Sequence, residues 1–102
     1  MQQLLAKSKN ELIAICQALS IKRLYAFGSV VSEKFDDNSD IDFLISFSDN
    51  LTVDEYTKNY FILQYKLREL FKREIDIVTE RTLSNPYFIE SINESKLLIY
   101  EA

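Results

Sequence analysis

The sequence predicts an α/β (α+β) domain in which a small mixed β-sheet is flanked by helices. Three features carry this prediction: segments with helical spacing of apolar residues, segments in which apolar and acidic residues alternate, and turn-forming residues between them. The chain has 102 residues, 47% hydrophobic and 27% charged, which is the balance of a globular protein. A single domain over residues 1–102 is therefore expected.

The helices are predicted from their caps and their apolar stripes. Ser8, with Glu three residues later, has the pattern of a capping box and predicts a helix up to Ser20. Thr52 begins the same pattern and predicts a long amphipathic helix that ends at the cations Lys72-Arg73, which suit a helix C-terminus. Asn85-Pro86 offers a cap and a first-turn proline for a short last helix.

The strands are predicted from short apolar or alternating segments. Residues 24–27 are apolar and aromatic and stop at Gly28-Ser29, which is typical of a buried strand that enters a tight turn. Residues 40–47 and 74–79 alternate apolar with acidic or polar residues and predict two further strands. The apolar residues 97–100 form a last piece, and residues 30–39 are expected to form a helical turn and a polar loop.

The composition of the chain indicates which cellular compartment and which kinds of partner to expect. The single Cys16 cannot form an intramolecular disulfide, the N-terminal residues lack the apolar segment of a signal peptide, and no apolar run approaches the roughly 20 residues that cross a bilayer. A cytoplasmic protein without a membrane partner is expected. The net charge of -4 argues against binding nucleic acid through clustered cations.

Two aspartates share one face of the second predicted strand. The period of two places Asp40 and Asp42 side by side, where their charges repel unless water or a cation neutralises them. Carboxylates are ligands that Mg²⁺ prefers, and paired ions serve phosphoryl and nucleotidyl transfer. Asp76 would join the pair if its strand is a neighbour. The alternative is that both aspartates face solvent and bind nothing.

Gly28-Ser29 is the second candidate feature. Since glycine lacks a Cβ, backbone N–H groups and the Ser29 hydroxyl could approach a phosphate closely at this turn. The spacing of Gly28-Ser29, Asp40-Ile41-Asp42 and the later Asp76 resembles the DNA polymerase beta-like nucleotidyltransferase superfamily. More narrowly, the chain resembles the minimal nucleotidyltransferases, which are antitoxin partners of HEPN-domain toxins.

The resemblance implies a polymerase beta-like nucleotidyltransferase fold and assigns roles to the motif residues. Gly28 and Ser29 would contact the phosphates of ATP, and Asp40, Asp42 and Asp76 would be the catalytic residues and the ligands of a two-ion Mg²⁺ site. The implied reaction transfers AMP from ATP to a hydroxyl, expected to be a tyrosine of a cognate HEPN toxin. The chain would then be the antitoxin of a type VII-like toxin–antitoxin pair.

One departure from the family keeps an alternative open. Many members have an Arg and a Gly shortly after Gly-Ser, whereas Val30 and Val31 follow here and Lys34 is the nearest cation. The alternative is a catalytically inactive relative that neutralises a toxin by binding alone. Nucleotide preference, the number of nucleotides added, and assembly as a homo- or hetero-oligomer are left open by the sequence.

Overall fold

The computed structural model describes residues 2–102 and contains four helices and four strands in this range. In chain order these are α1 (Gln2–Lys7), α2 (Lys9–Ala18), β1 (Ile21–Phe27), β2 (Ile41–Phe47), α3 (Val53–Phe71), β3 (Ile75–Thr79), α4 (Pro86–Ser95) and β4 (Leu97–Glu101). Short 3-10 turns follow β1 at Gly28–Val31 and β3 at Glu80–Thr82.

The four strands form one mixed sheet in the order β3-β2-β1-β4. β1 pairs antiparallel with both β2 and β4, while β2 and β3 are parallel and are connected by α3. Parallel neighbours need such a crossover helix. The predicted fold class is therefore confirmed, with the parallel pair formed by the two alternating acidic segments.

The sheet is covered on both faces. The larger core packs the first three helices on one face, with Leu12, Leu63 and Phe43 among its fully buried members. On the other face, α4 closes a smaller core in which Phe27, Leu44 and Ile92 are buried. Alternation along β2 explains this arrangement, because Phe43 faces the larger core and Leu44 faces the smaller one.

Two helix caps are confirmed and one is corrected. Thr52 accepts a hydrogen bond from the Glu55 N–H at 3.1 Å while the Glu55 carboxylate accepts one from the Thr52 N–H at 2.9 Å, which completes a capping box. The Asn85 side chain caps α4. The capping box predicted at Ser8 is wrong: its side chain makes no cap hydrogen bond and is buried, because α1 precedes α2 there.

The strand and loop boundaries also differ from the prediction. β1 begins at Ile21 rather than Leu24, since Ile21 and the cationic Arg23 pair with β2 across an irregularity at residue 22. Asp40 lies just before β2, which begins at Ile41. No helix within residues 2–102 combines the length and the apolar composition that a membrane crossing requires.

Candidate active site

The candidate site lies where β1 ends and β2 and β3 begin. Phe27 pairs with Asp42 across the antiparallel strands, and Asp42 pairs with Asp76 across the parallel ones. Directly paired residues present their side chains on the same face. The structure therefore brings Asp42 and Asp76 together on the face of the sheet that α4 covers. Asp42 lies two residues before the buried Leu44 on the same face of β2.

The two paired carboxyl groups interact directly. Burial, the negative charge of Asp76, a hydrogen bond with Asp76 and the charge of Asp40 together raise the pKa of Asp42 from 3.8 to about 6. Burial is the largest of these causes, since Asp42 is half-buried whereas Asp76 is exposed. The charges at this edge repel each other, which is the condition that a bound cation relieves.

Position 28 has to be a glycine, because the Asp42 carboxylate lies directly against its backbone. Its φ of +75° lies in the left-handed region, and a Cβ placed on it would overlap the Oδ2 atom of Asp42. The chain's one glycine thus combines an unusual backbone conformation with a close approach of the backbone to a site residue. A larger residue would have to displace either the turn or the carboxylate.

Ser29 and Asp40 are joined at the start of β2. The Ser29 hydroxyl donates a long hydrogen bond of 3.5 Å to the backbone carbonyl of Asp40. Ser32 supports the turn from the other side, because its hydroxyl donates to the Ser29 carbonyl at 3.0 Å. The Gly-Ser turn, Asp40 and Asp42 are therefore neighbours, as the predicted motif requires.

The donor chemistry of the site fits Mg²⁺, although the side chains do not form a closed centre. Within residues 2–102, no three Asp, Glu, His or Cys side chains are grouped closely enough to hold a metal. Asp42 and Asp76 are in contact, while Asp40 is exposed and its charge raises the pKa of Asp42 less than burial or the two effects of Asp76 do. Hard carboxylate oxygens are the ligands that Mg²⁺ prefers. The three-acid ligand set stays a prediction.

Within residues 2–102, no ion pair neutralises the site carboxylates. The ion pairs formed by residues 2–102 are Lys22–Asp49, Arg23–Glu80, Arg68–Glu74 and Lys72–Glu69. None of these pairs includes Asp40, Asp42 or Asp76. Water or an external cation is therefore left to screen these carboxylates when they are ionised.

Arg73, predicted only as a cation at a helix C-terminus, and Asp36, within the predicted polar loop, both hold the loop before Asp40 in the structure. Arg73 donates to backbone carbonyls in the loop before Asp40, and the Asp36 carboxylate accepts hydrogen bonds within that loop. Arg73 carries no recognisable signal in the sequence, because its acceptors are main-chain atoms 34 and 37 positions away. The pairs Asp36–Asn38 and Asp36–Ser39 are local and match the usual pattern of an Asx turn.

A cavity of about 520 Å³ lies away from the acidic edge, beside the C-terminal ends of β2 and β3. Its walls include Arg23, Ser46 and Tyr56 but none of the predicted site residues. We assign the candidate active site to the acidic edge, because catalysis of group transfer needs the carboxylates and the phosphate-binding turn rather than an enclosed volume.

The sequence belongs to a known family. Residues 9–99 match the nucleotidyltransferase domain family, so the chain is a member of that family. Two proteins of Methanocaldococcus jannaschii, both named by inference as protein adenylyltransferases, are similar to it. One is 28% identical over 96% of this chain and 93% of its own length, and the other is 34% identical over 78% and 76%.

Solved structures share the fold. A minimal nucleotidyltransferase, so named by inference, has a TM-score of 0.70 at 26% identity and covers 91% of this chain and 90% of its own. A toxin–antitoxin structure with AMP-PNP has a TM-score of 0.71 at 21% identity, covering 92% and 73%. A complex of the tri-AMPylated Shewanella oneidensis HEPN toxin with an MNT antitoxin has a TM-score of 0.65 at 21% identity, covering 100% of this chain and 74% of its own.

These findings confirm the predicted resemblance to the minimal nucleotidyltransferases and the prediction that the chain is a nucleotidyltransferase. The matched residues include both strands of the parallel pair and the Gly-Ser turn. No comparison identifies individual site residues, so the roles of Gly28, Ser29, Asp40, Asp42 and Asp76 stay predictions that the geometry supports.

Proposed function

We propose that this chain transfers AMP from ATP, in a Mg²⁺-dependent reaction, to a tyrosine hydroxyl of a cognate HEPN toxin. The observation that carries the proposal is the strand register that places Asp42 beside Asp76, with the Gly28 backbone against the Asp42 carboxylate. The family and the relatives named as protein adenylyltransferases support the reaction class. The fold shared with an MNT antitoxin bound to an AMPylated HEPN toxin supports the partner.

The chemistry follows from the positions of these groups. The tyrosine oxygen attacks the α-phosphorus of ATP, the bond from that phosphorus to the bridging oxygen of the β-phosphate breaks, and pyrophosphate leaves. Asp40, Asp42 and Asp76 would hold Mg²⁺, which when bound supplies neutralisation of the phosphate charge. Asp76 would accept the proton of the tyrosine hydroxyl, a role that is supported by its greater exposure relative to Asp42.

The Gly-Ser turn supplies binding rather than bond-making. Gly28 has no side chain to obstruct the phosphates, and the adjacent amide N–H groups and the Ser29 hydroxyl can donate to phosphate oxygens. Nucleotidyl transfer depends on positioning and charge neutralisation, with little covalent chemistry for the protein to perform. A domain with few residues beyond the sheet and four helices can therefore provide the machinery.

The test combines this chain with ATP, Mg²⁺ and a candidate HEPN toxin from the same genome. Intact-protein mass spectrometry should show the mass gain of one or more adenylates on the HEPN protein, located by fragmentation on tyrosine. Asp76→Asn should abolish the gain, while the matched exposed variant Asp49→Asn, which changes the charge equally, should retain it. Absence of adenylate with the parent protein, or full transfer by Asp76→Asn, would contradict the proposal.

A second candidate function is neutralisation of the toxin by binding alone. It is favoured by the exposure of large aromatic side chains, since Phe61, Tyr65 and Tyr87 are 62%, 66% and 83% exposed, and by the absence of a cation directly after Gly28-Ser29. The same experiment separates the two. Suppression of the toxin's activity with no mass gain, and without any requirement for ATP, would support binding alone.

A further inference from the structure

We propose that Arg73 is a positioning residue, which fixes the loop of residues 35–39 so that Asp40 is held at the same edge as Asp42 and Asp76. The inference deepens the proposed function and rests on it for its catalytic consequence. In structural terms, Arg73 attaches the loop that ends at Asp40 to the segment that leads into β3.

Arg73 makes three contacts with this loop. Its Nη1 donates hydrogen bonds to the backbone carbonyls of Asp36 at 3.0 Å and of Ser39 at 2.9 Å. Its guanidinium carbon lies 4.6 Å from the centre of the Phe35 ring, in the geometry of a cation–π contact. The side chain is half-buried, so water competes with these contacts less than it would on an open surface.

These contacts connect the loop directly before Asp40 to the segment directly before Asp76. Ser39 immediately precedes Asp40, and Arg73 lies three positions before Asp76. A backbone hydrogen bond of 3.2 Å from the Ile41 N–H to the Glu74 carbonyl continues the attachment on the other side of Asp40. Asp40 therefore lies between two anchor points that lead to the β3 segment, and of these two Arg73 provides the one that depends on a side chain. The Ser29 hydroxyl attaches Asp40 separately to the Gly-Ser turn.

The loop has an internal structure that Arg73 can orient as a unit. The Asp36 carboxylate accepts hydrogen bonds from the Asn38 N–H at 2.8 Å and from the Ser39 hydroxyl at 3.1 Å. Among the hydrogen bonds found within residues 2–102, those that join residues 36–39 to another part of the chain both come from Arg73. Without Arg73 the turn would keep the packing of Phe35 against the larger core but would open more readily, because its carbonyls lose their hydrogen bonds to the segment before β3.

The contacts require the shape of arginine and not merely its charge. A planar guanidinium can hold two carbonyl oxygens and a ring face at once, whereas a lysine ammonium is a compact point charge on a flexible stem. If Arg73 acted by lowering the negative potential of the site, Arg73→Lys would replace it. If Arg73 acts by orienting the loop, Arg73→Lys should be almost as defective as Arg73→Met.

The test measures metal binding without turnover. Mn²⁺, used alone as a spectroscopic substitute for Mg²⁺, is titrated into the protein while the signal of free Mn²⁺ is followed by electron paramagnetic resonance. Residues that orient metal ligands typically change metal affinity by roughly 10–100-fold. We expect about tenfold weaker binding for Arg73→Met and Arg73→Lys. Arg68→Met is the control, because Arg68 lies in the last turn of α3, carries the same charge as Arg73, and pairs with the Glu74 carboxylate at 2.9 Å rather than with the loop.

Hydrogen exchange gives an independent measure. The amides of Asn38 and Ser39, both bonded within the loop, should exchange faster in the Arg73 variants than in the parent and the Arg68 variant. Parent-like Mn²⁺ binding in Arg73→Lys, or unchanged exchange of these amides in both Arg73 variants, would overturn the inference.

The outcomes also distinguish this inference from the proposed function. A parent protein that binds Mn²⁺ and loses affinity in the Arg73 variants, but transfers no AMP, would refute the reaction and leave the positioning role intact. A parent protein that transfers AMP, with Arg73 variants that bind Mn²⁺ and exchange amides as the parent does, would refute the positioning role alone. If the parent protein binds no Mn²⁺, the metal site is refuted and hydrogen exchange decides the role of Arg73.

Discussion

Replacing Asp42 by Asn should stabilise the metal-free protein, although Asp42 is a predicted catalytic residue. Asp42 is half-buried beside Asp76, and its pKa is raised to about 6 by burial first and then by the neighbouring carboxylates. At pH 7 the ionised side chain therefore weakens the folded state. Asn has nearly the same shape, carries no charge, and can donate a hydrogen bond to the Asp76 carboxylate.

The size of the effect follows from the pKa. A rise from 3.8 to about 6, at about 1.4 kcal/mol for each pKa unit, sets a ceiling of about 3 kcal/mol. Water reaches part of the Asp42 side chain and screens these charges, so the expected gain is about 1–2 kcal/mol. In a domain of this size that gain corresponds to a rise in melting temperature of roughly 5–15 °C.

The pH dependence has a defined sign. Because the folded-state pKa of Asp42 is raised, the folded protein binds its proton more tightly than the unfolded chain does between pH 3.8 and about 6. The contribution of the protonated group is therefore fully present below the unfolded pKa and is lost as pH rises through the folded pKa. The advantage of Asp42→Asn should be largest at pH 7 and close to zero near pH 4.

Urea unfolding of the parent and Asp42→Asn in the presence of EDTA, at pH 4, 5, 6 and 7, measures this difference. Asp37→Asn is the control, since it removes one exposed loop carboxylate and changes the net charge equally. Mg²⁺ should then stabilise the parent more than the variant, because ligands that bind the folded state alone raise its stability. A variant no more stable than the parent at pH 7, or an advantage that persists at pH 4, would show that the reasoning is wrong.

Three further predictions test the turn, the helix cap and the core. Gly28→Ala should lose about 1–2 kcal/mol of stability because of its left-handed backbone. The variant should also lose AMP transfer, since the added Cβ overlaps the Asp42 carboxylate. Parent-like melting would contradict this prediction. Thr52→Ala should lower the free energy of unfolding in urea by about 1 kcal/mol, because it removes the capping box, while AMP transfer remains at the parent rate. Reduced transfer at an equal folded fraction would argue against a purely structural cap. Cys16 should resist a thiol reagent at pH 8 until the protein unfolds, because burial raises its pKa to about 12; rapid labelling of the native protein would disprove this.

The caps show where local sequence is sufficient and where it fails. The Thr52 cap was predictable because its acceptor and donors lie within four residues and the preceding segment is a loop. Ser8 has the same pattern, but a preceding helix places it between α1 and α2, where its side chain is buried without capping. A capping pattern thus predicts a cap only when the chain before it is free to turn away from the helix axis.

The chain's own residues determined the alternation of Asp42 with apolar neighbours, the strand face that it shares with Leu44, and the turn at Gly28. These properties depend on the period of a strand and on local backbone geometry, which act over a few residues. Only the tertiary structure decided that Asp76 lies beside Asp42 and that Arg73 holds the carbonyls of Asp36 and Ser39. Strand order and main-chain acceptors far along the chain arise from how whole elements pack, and no short-range pattern records them.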